Sequence, residues 1–125
     1  MIRQSPEHTI QCNLFTWARY SRCKYPQLDL LSCSLNGVKL SKAQAGKARA
    51  AGMLAGEHDV KLPVSRGGFI GLSIELKAGK NKPTTEQLWY GDRLTEEGWY
   101  VCYRWSWTEA ADTIKAYLEG KIIKT

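Results

Sequence analysis

Asp59-Val60-Lys61-Leu62-Pro63, followed after a Gly-rich stretch by Ile74-Glu75-Leu76-Lys77, is the segment on which the fold turns. Side chains alternate along a strand, so Glu75 and Lys77 share one face while Ile74 and Leu76 share the other. Ser65-Arg66-Gly67-Gly68 supplies turn residues between the two halves, which predicts an antiparallel hairpin over residues 59–77. In that register Asp59 comes close to the partner position of Glu75, and opposed residues point to the same side. Two carboxylates and a lysine then converge on one surface. Carboxylates so placed repel, and a hard divalent cation relieves the repulsion.

Outward from this hairpin the elements follow from caps and periodicity. Ser5 and Pro6 open a helix to about residue 21, with Ile10, Leu14 and Ala18 as its apolar stripe and Glu7 near the inward face. Tyr25-Pro26 closes that region, and Leu28 to Ser34 reads as a short strand before the turn residues Asn36-Gly37. Ser41 caps an alanine-rich basic helix from Lys42 to Ala51, small enough on its surface to approach another backbone or a phosphate. Thr84 caps a helix over Thr85 to Glu97, with Gln87 at capping-box spacing and Gly98 at its end. Trp99 to Trp107 reads as an aromatic strand, with Trp99, Val101, Tyr103, Trp105 and Trp107 on the face assigned to core and subunit interface rather than to base stacking. Ser106 and Glu109, again at capping-box spacing, open a last helix whose stripe is Ala110, Ile114 and Leu118. The expected fold class is α/β, a mixed β-sheet flanked by helices.

Composition sets the outer bounds. The 125 residues suffice for one domain with a real core. No apolar run reaches the roughly 18 residues of a membrane span. The first residues lack the apolar stretch of a signal peptide, so a cytoplasmic location is expected. Cys12, Cys23, Cys33 and Cys102 lack Cys-x-x-Cys spacing and are expected to be reduced and mostly buried, with no structural zinc. The net charge of +6 favours a polyanionic partner. Lys39, Lys42, Lys47 and Arg49 precede the hairpin's acids and Lys80 and Lys82 follow them, a bracketing that suits DNA, although surface lysines are commonly just solvated.

An aspartate followed at this distance by Glu-x-Lys resembles the PD-(D/E)xK nuclease superfamily, with its restriction-endonuclease-like core. Further likenesses are Glu7 with Gln11 one turn on, and the run from Tyr25-Pro26 to Gly56-Glu57-His58-Asp59. Gln87 with Trp89 and Gly98-Trp99-Tyr100-Val101 completes them. Together they resemble the virus-type replication-repair nuclease family, VRR-NUC, over nearly the whole of residues 1–125. One departure is visible: the family shows Gly-x-Pro-Asp where this chain has His58, which leaves the aspartate intact and touches only local backbone rigidity.

The resemblance implies that Asp59 and Glu75, with the Leu76 carbonyl, hold Mg²⁺ or Mn²⁺ and that Lys77 is the catalytic lysine. Glu7 matches the family's helix-borne acid, which binds the ion directly, completes a second metal site or orients a water. Gln87 matches the active-site glutamine, though the same residue serves equally as a capping-box partner. A stand-alone domain of this kind resembles homodimeric Holliday junction resolvases that cut branched DNA. The alternatives are a non-catalytic nucleic-acid-binding module of the same fold, or a flap or restriction-type endonuclease.

Overall fold

The computed structural model describes residues 5–34 and 40–125. Lys39 and the Asn36-Gly37 turn lie outside the described residues. The first helix, α1, runs Pro6–Tyr20; Ser5 Oγ accepts the His8 N–H and Pro occupies the first turn, as the cap reading expects. Strand β1 is only Ser32–Cys33. Helix α2 is Lys42–Ala50, closed at its start by a reciprocal Ser41–Gln44 box. Strands β2 (Val60–Leu62) and β3 (Leu72–Leu76) form the hairpin. Helix α3 (Thr85–Glu96), strand β4 (Tyr100–Arg104) and helix α4 (Trp107–Leu118) complete the chain.

The described strands form one sheet in the order β1-β2-β3-β4. The first three are antiparallel, and β3 and β4 are parallel, joined through α3. Helices α1 and α4 pack on each other and on β3, while α3 packs on β4. The alternation of β3 explains the layering. Leu72, Ile74 and Leu76 face Leu14, Ala18, Ala110, Ala111, Ile114 and Tyr117 in one apolar cluster. Ser73, Glu75 and Lys77 occupy the other face, and they are buried as well. A central strand covered on both sides normally reads as a continuous apolar run. Buried Ser73, Glu75 and Lys77 in such a strand need partners or a function.

The structure corrects three expectations. Leu28 to Ser34 is not one strand: residues Pro26–Leu30 form a 3-10 helix, leaving the short β1. Proline's fixed φ suits a first helical position, and Tyr25 ahead of it, at φ −127° and ψ 82°, stays outside the helical region. Cys12, Cys23 and Cys33 are exposed, and only Cys102 is buried. The core face of β4 carries Cys102 and Tyr100 rather than the tryptophans. Trp105 is 39% exposed, whereas Trp107 does pack against the core, but from the first turn of α4. As the spacing predicts, Ser106 opens α4: its Oγ accepts the Glu109 N–H, and its hydroxyl donates to the Glu109 carboxylate. Helix α2 buries none of its residues. Among the described residues, no helix is long and apolar enough to cross a membrane.

Candidate functional site

The register Val60↔Ile74 extends by one step to place Asp59 opposite Glu75. Each carboxylate grips the other strand's backbone: Asp59 N–H donates to Glu75 Oε1 at 3.2 Å, and Leu76 N–H donates to Asp59 Oδ2 at 2.9 Å. Glu75 is 2% exposed and Lys77 5%, with Lys77 Nζ 3.7 Å from Glu75 Oε2. Asp59 is half-buried and forms the solvent side of the pair. Lys77 is itself held by its N–H, which donates to the Arg104 carbonyl at 2.9 Å and prolongs the β3–β4 pairing.

Burial, together with the neighbouring Asp59 charge, pushes the Glu75 carboxyl up to about 8. Burial also raises Asp59, against the lowering effect of the Leu76 N–H bond. Both shifts disfavour two negative charges in this space, so a cation that neutralises them would be bound strongly. Among the described residues no three His, Cys, Asp or Glu side chains gather closely enough to cage a metal ion. Two carboxylates suit Mg²⁺ or Mn²⁺, which take one or two acids and fill their remaining positions with water and phosphate oxygens. The residues therefore fit such an ion, and the Leu76 carbonyl, next to Glu75 on β3, is available as a third oxygen.

The remaining predicted residues divide. Glu7, in the first turn of α1, accepts from Asn81 Nδ2 at 3.1 Å, and its charge is felt at Asp59. It borders the pair without joining it. The Gln87 side chain is engaged in the cap: Thr84 N–H donates to its Oε1 at 2.9 Å, while its own N–H donates to Thr84 Oγ1 at 3.1 Å. Lys80 and Lys82 flank Asn81 and are exposed beside the site. Lys42, Lys47 and Arg49 are exposed on α2, and among the described residues none of them forms a salt bridge with Asp59 or Glu75.

His58 is the residue that sequence reasoning undervalued. It is 0% exposed, packs against the rings of Tyr90 and Tyr103, and uses both ring nitrogens. Nε2 lies 2.9 Å from the Gln87 carbonyl and Nδ1 2.9 Å from Ser73 Oγ. A carbonyl only accepts, so Nε2 carries the hydrogen and Nδ1 accepts from the serine hydroxyl. Burial lowers the His58 pKa, in keeping with a neutral ring. His58 therefore does more than set local backbone rigidity. It ties the Asp59 segment to both β3 and α3. Ser73, two residues before Glu75 on the same face, was the available signal for a polar partner there.

Two glycines make this docking possible. Gly91 on α3 has no room for a side chain, because a Cβ would meet Tyr103 Oη at 2.4 Å and His58 Cε1 at 3.1 Å. Gly56 has φ +86°, and a Cβ there would lie 2.4 Å from the Glu86 carbonyl oxygen. Gly56→Ala combines left-handed backbone strain with a clash against backbone, and should lower stability by about 2 kcal/mol or more in a urea titration. An unchanged urea midpoint would show that the 56–59 segment is not seated against α3 in this way.

This geometry can be set beside known proteins. No family model matches the sequence, and no curated protein matches it. Among solved structures, one described as "VRR_NUC domain protein" superposes with a TM-score of 0.77 at 24% identity, covering 95% of this chain and 93% of that one. This chain has the VRR-NUC fold. The α/β expectation, with its mixed sheet and flanking helices, is thereby met. Within the VRR-NUC fold, the hairpin sets Asp59 and Glu75 against each other at the end of the sheet nearest Glu7 and the Lys80–Lys82 turn.

Proposed function

We propose that this chain is a VRR-NUC family nuclease of the PD-(D/E)xK superfamily, a metal-dependent DNA endonuclease that cuts branched DNA and acts as a homodimeric Holliday junction resolvase. The observation that carries the reading is the buried Glu75 carboxyl, opposed to Asp59 and flanked by Lys77 Nζ at 3.7 Å. A structural ion pair would need one acid, not two sharing a desolvated corner. The +6 net charge supports a polyanionic substrate.

In this reading Asp59, Glu75 and the Leu76 carbonyl would hold Mg²⁺ or Mn²⁺. Such an ion would supply charge neutralisation at the scissile phosphate and lower the pKa of a bound water. Lys77 Nζ orients the attacking water by hydrogen bonding and offsets the negative charge developing on the phosphoryl oxygens. The water oxygen bonds to phosphorus as the bond from phosphorus to the 3′ oxygen breaks. The water's proton passes to solvent and the leaving oxygen takes one up, which leaves 5′-phosphate and 3′-hydroxyl ends. Glu7 is close enough to influence Asp59 and suits the orientation of a water better than direct ligation, since Asn81 already holds its carboxylate. Gln87 acts by closing the start of α3, with its carbonyl anchoring His58. A two-fold dimer would offer one such site to each symmetry-related strand of a junction.

The test is a cleavage panel of four-way junction, flap, splayed arm and linear duplex, run with Mg²⁺ or Mn²⁺ and again with chelator. Paired symmetric incisions in the four-way junction, lost with chelator, are the expected result. Preference for the flap would replace the resolvase reading with a flap endonuclease. No cleavage of any substrate would leave a nucleic-acid-binding module.

A further inference from the structure

We propose that Trp105 and the Lys80–Lys82 turn form a subsite that holds an unpaired DNA base beside the carboxylate pair. The placement of the scissile phosphate next to it rests on the nuclease reading, but the subsite's own chemistry does not. Tyr103 pairs with Glu75 in the parallel β3–β4 ladder, so Trp105, two residues on, follows the face that bears Glu75 and Lys77. It is also the next residue after Arg104, whose carbonyl accepts the Lys77 N–H.

Trp105 is 39% exposed, although its polar handle is already satisfied: indole Nε1–H donates to the Asn81 carbonyl at 2.9 Å. The protein thus fixes the edge of the ring and leaves apolar surface facing water. Asn81 is the other half of the device. Its N–H donates to the Ala78 carbonyl at 3.0 Å and its side chain donates to Glu7 at 3.1 Å. The turn is pinned to α1 on one side and to the end of β4 on the other. Lys80 and Lys82, either side of Asn81, are exposed and make no ion pair among the described residues. An aromatic surface beside two ammonium groups matches a base and its neighbouring phosphates. Bases inside a duplex have their faces covered by neighbours, so only an unpaired base, as at a branch point, can use the indole.

Binding is measured on the full-length protein with chelator present, by fluorescence anisotropy of a labelled single-stranded oligonucleotide and of a blunt duplex of equal length. Trp105→Ala should weaken single-strand binding about tenfold while leaving the duplex nearly unchanged. Trp105→Phe should bind the single strand several-fold more tightly than Trp105→Leu, which keeps apolar bulk but no aromatic face. Lys80→Gln with Lys82→Gln should weaken both ligands and flatten the salt dependence. Equal losses on single strand and duplex, or Phe and Leu variants of equal affinity, would overturn the proposal. Because no cleavage is read, a protein that shows this pattern yet never cuts DNA loses the nuclease reading and keeps the subsite. One that cuts junctions but loses single-strand and duplex binding equally on Trp105→Ala does the reverse.

Discussion

Glu75→Gln is expected to abolish metal-dependent DNA cleavage, by about three orders of magnitude or more, while making the metal-free protein more stable at pH 8. The two effects share one cause. Gln keeps the shape of the side chain and an oxygen that can accept the Asp59 N–H, but it removes the negative charge that the proposed divalent ion would need. In the metal-free protein that same charge is a burden, since burial beside Asp59 raises Glu75 from its ordinary 4.5 to about 8. The sign follows from linkage: a raised pKa means that the folded state favours the protonated form, so stability is lost as pH rises from about 4.5 to 8. A permanently neutral Gln avoids the loss and should raise stability at pH 8 by about 2–4 kcal/mol. Lys77→Ala should also abolish cleavage but act on stability in the opposite sense, because it strips the cation from a buried carboxylate. Urea midpoints and junction cleavage, measured on the same samples, decide the matter. A Glu75→Gln protein that cuts within tenfold of the wild-type rate would end the metal role of Glu75. One whose urea midpoint falls at pH 8 would show that Glu75 is not under the strain described.

Strand alternation and caps made much of this molecule legible in its sequence. Ser5, Ser41, Thr84 and Ser106 each sit at the start of a helix and each accepts a backbone N–H there. Those signals are local, and they survive folding because no distant contact competes for the first-turn donors. The meeting of Asp59 with Glu75 was legible for a related reason: in an antiparallel hairpin one pair determines the rest. What escaped depends on parts of the chain far apart in sequence. His58 finds Ser73 and the Gln87 carbonyl, the latter 29 residues away. The exposure of Trp105 depends on how the turn around Asn81 closes over it. The segment after Pro26 carried an apolar run too short for periodicity to separate a strand from a 3-10 turn. The cysteine error was avoidable at Cys12, since a residue two positions from Leu14 points some 200° around the helix from the buried stripe.

The affinity for Mn²⁺ should rise with pH from about 6 to 8, by up to roughly a hundredfold, and level off above. Asp59 and Glu75 are both raised, and burial is the first cause for each, followed at Glu75 by the charge of its partner. Over this range the metal-free pair retains a proton that the ion must displace, so each pH unit gained removes up to a tenfold penalty on binding. Two calorimetric consequences follow. Titrations in buffers of different ionisation enthalpy should detect about one proton released per ion at pH 7, and almost none at pH 9. The rise in melting temperature on adding Mn²⁺ should be small at pH 5.5 and largest near pH 8, where the metal-free protein has lost the most stability. Asp59→Asn separates the two causes. Removing the neighbouring charge should lower the Glu75 pKa, yet leave it above 4.5 because burial remains. If Glu75 in the Asp59→Asn protein titrates at its ordinary value, repulsion and not burial raises it, and the case for a desolvated metal corner falls. If Mn²⁺ affinity in the wild type is flat from pH 6 to 8 with no proton released, the carboxylates are already ionised and the ion gains nothing from their opposition.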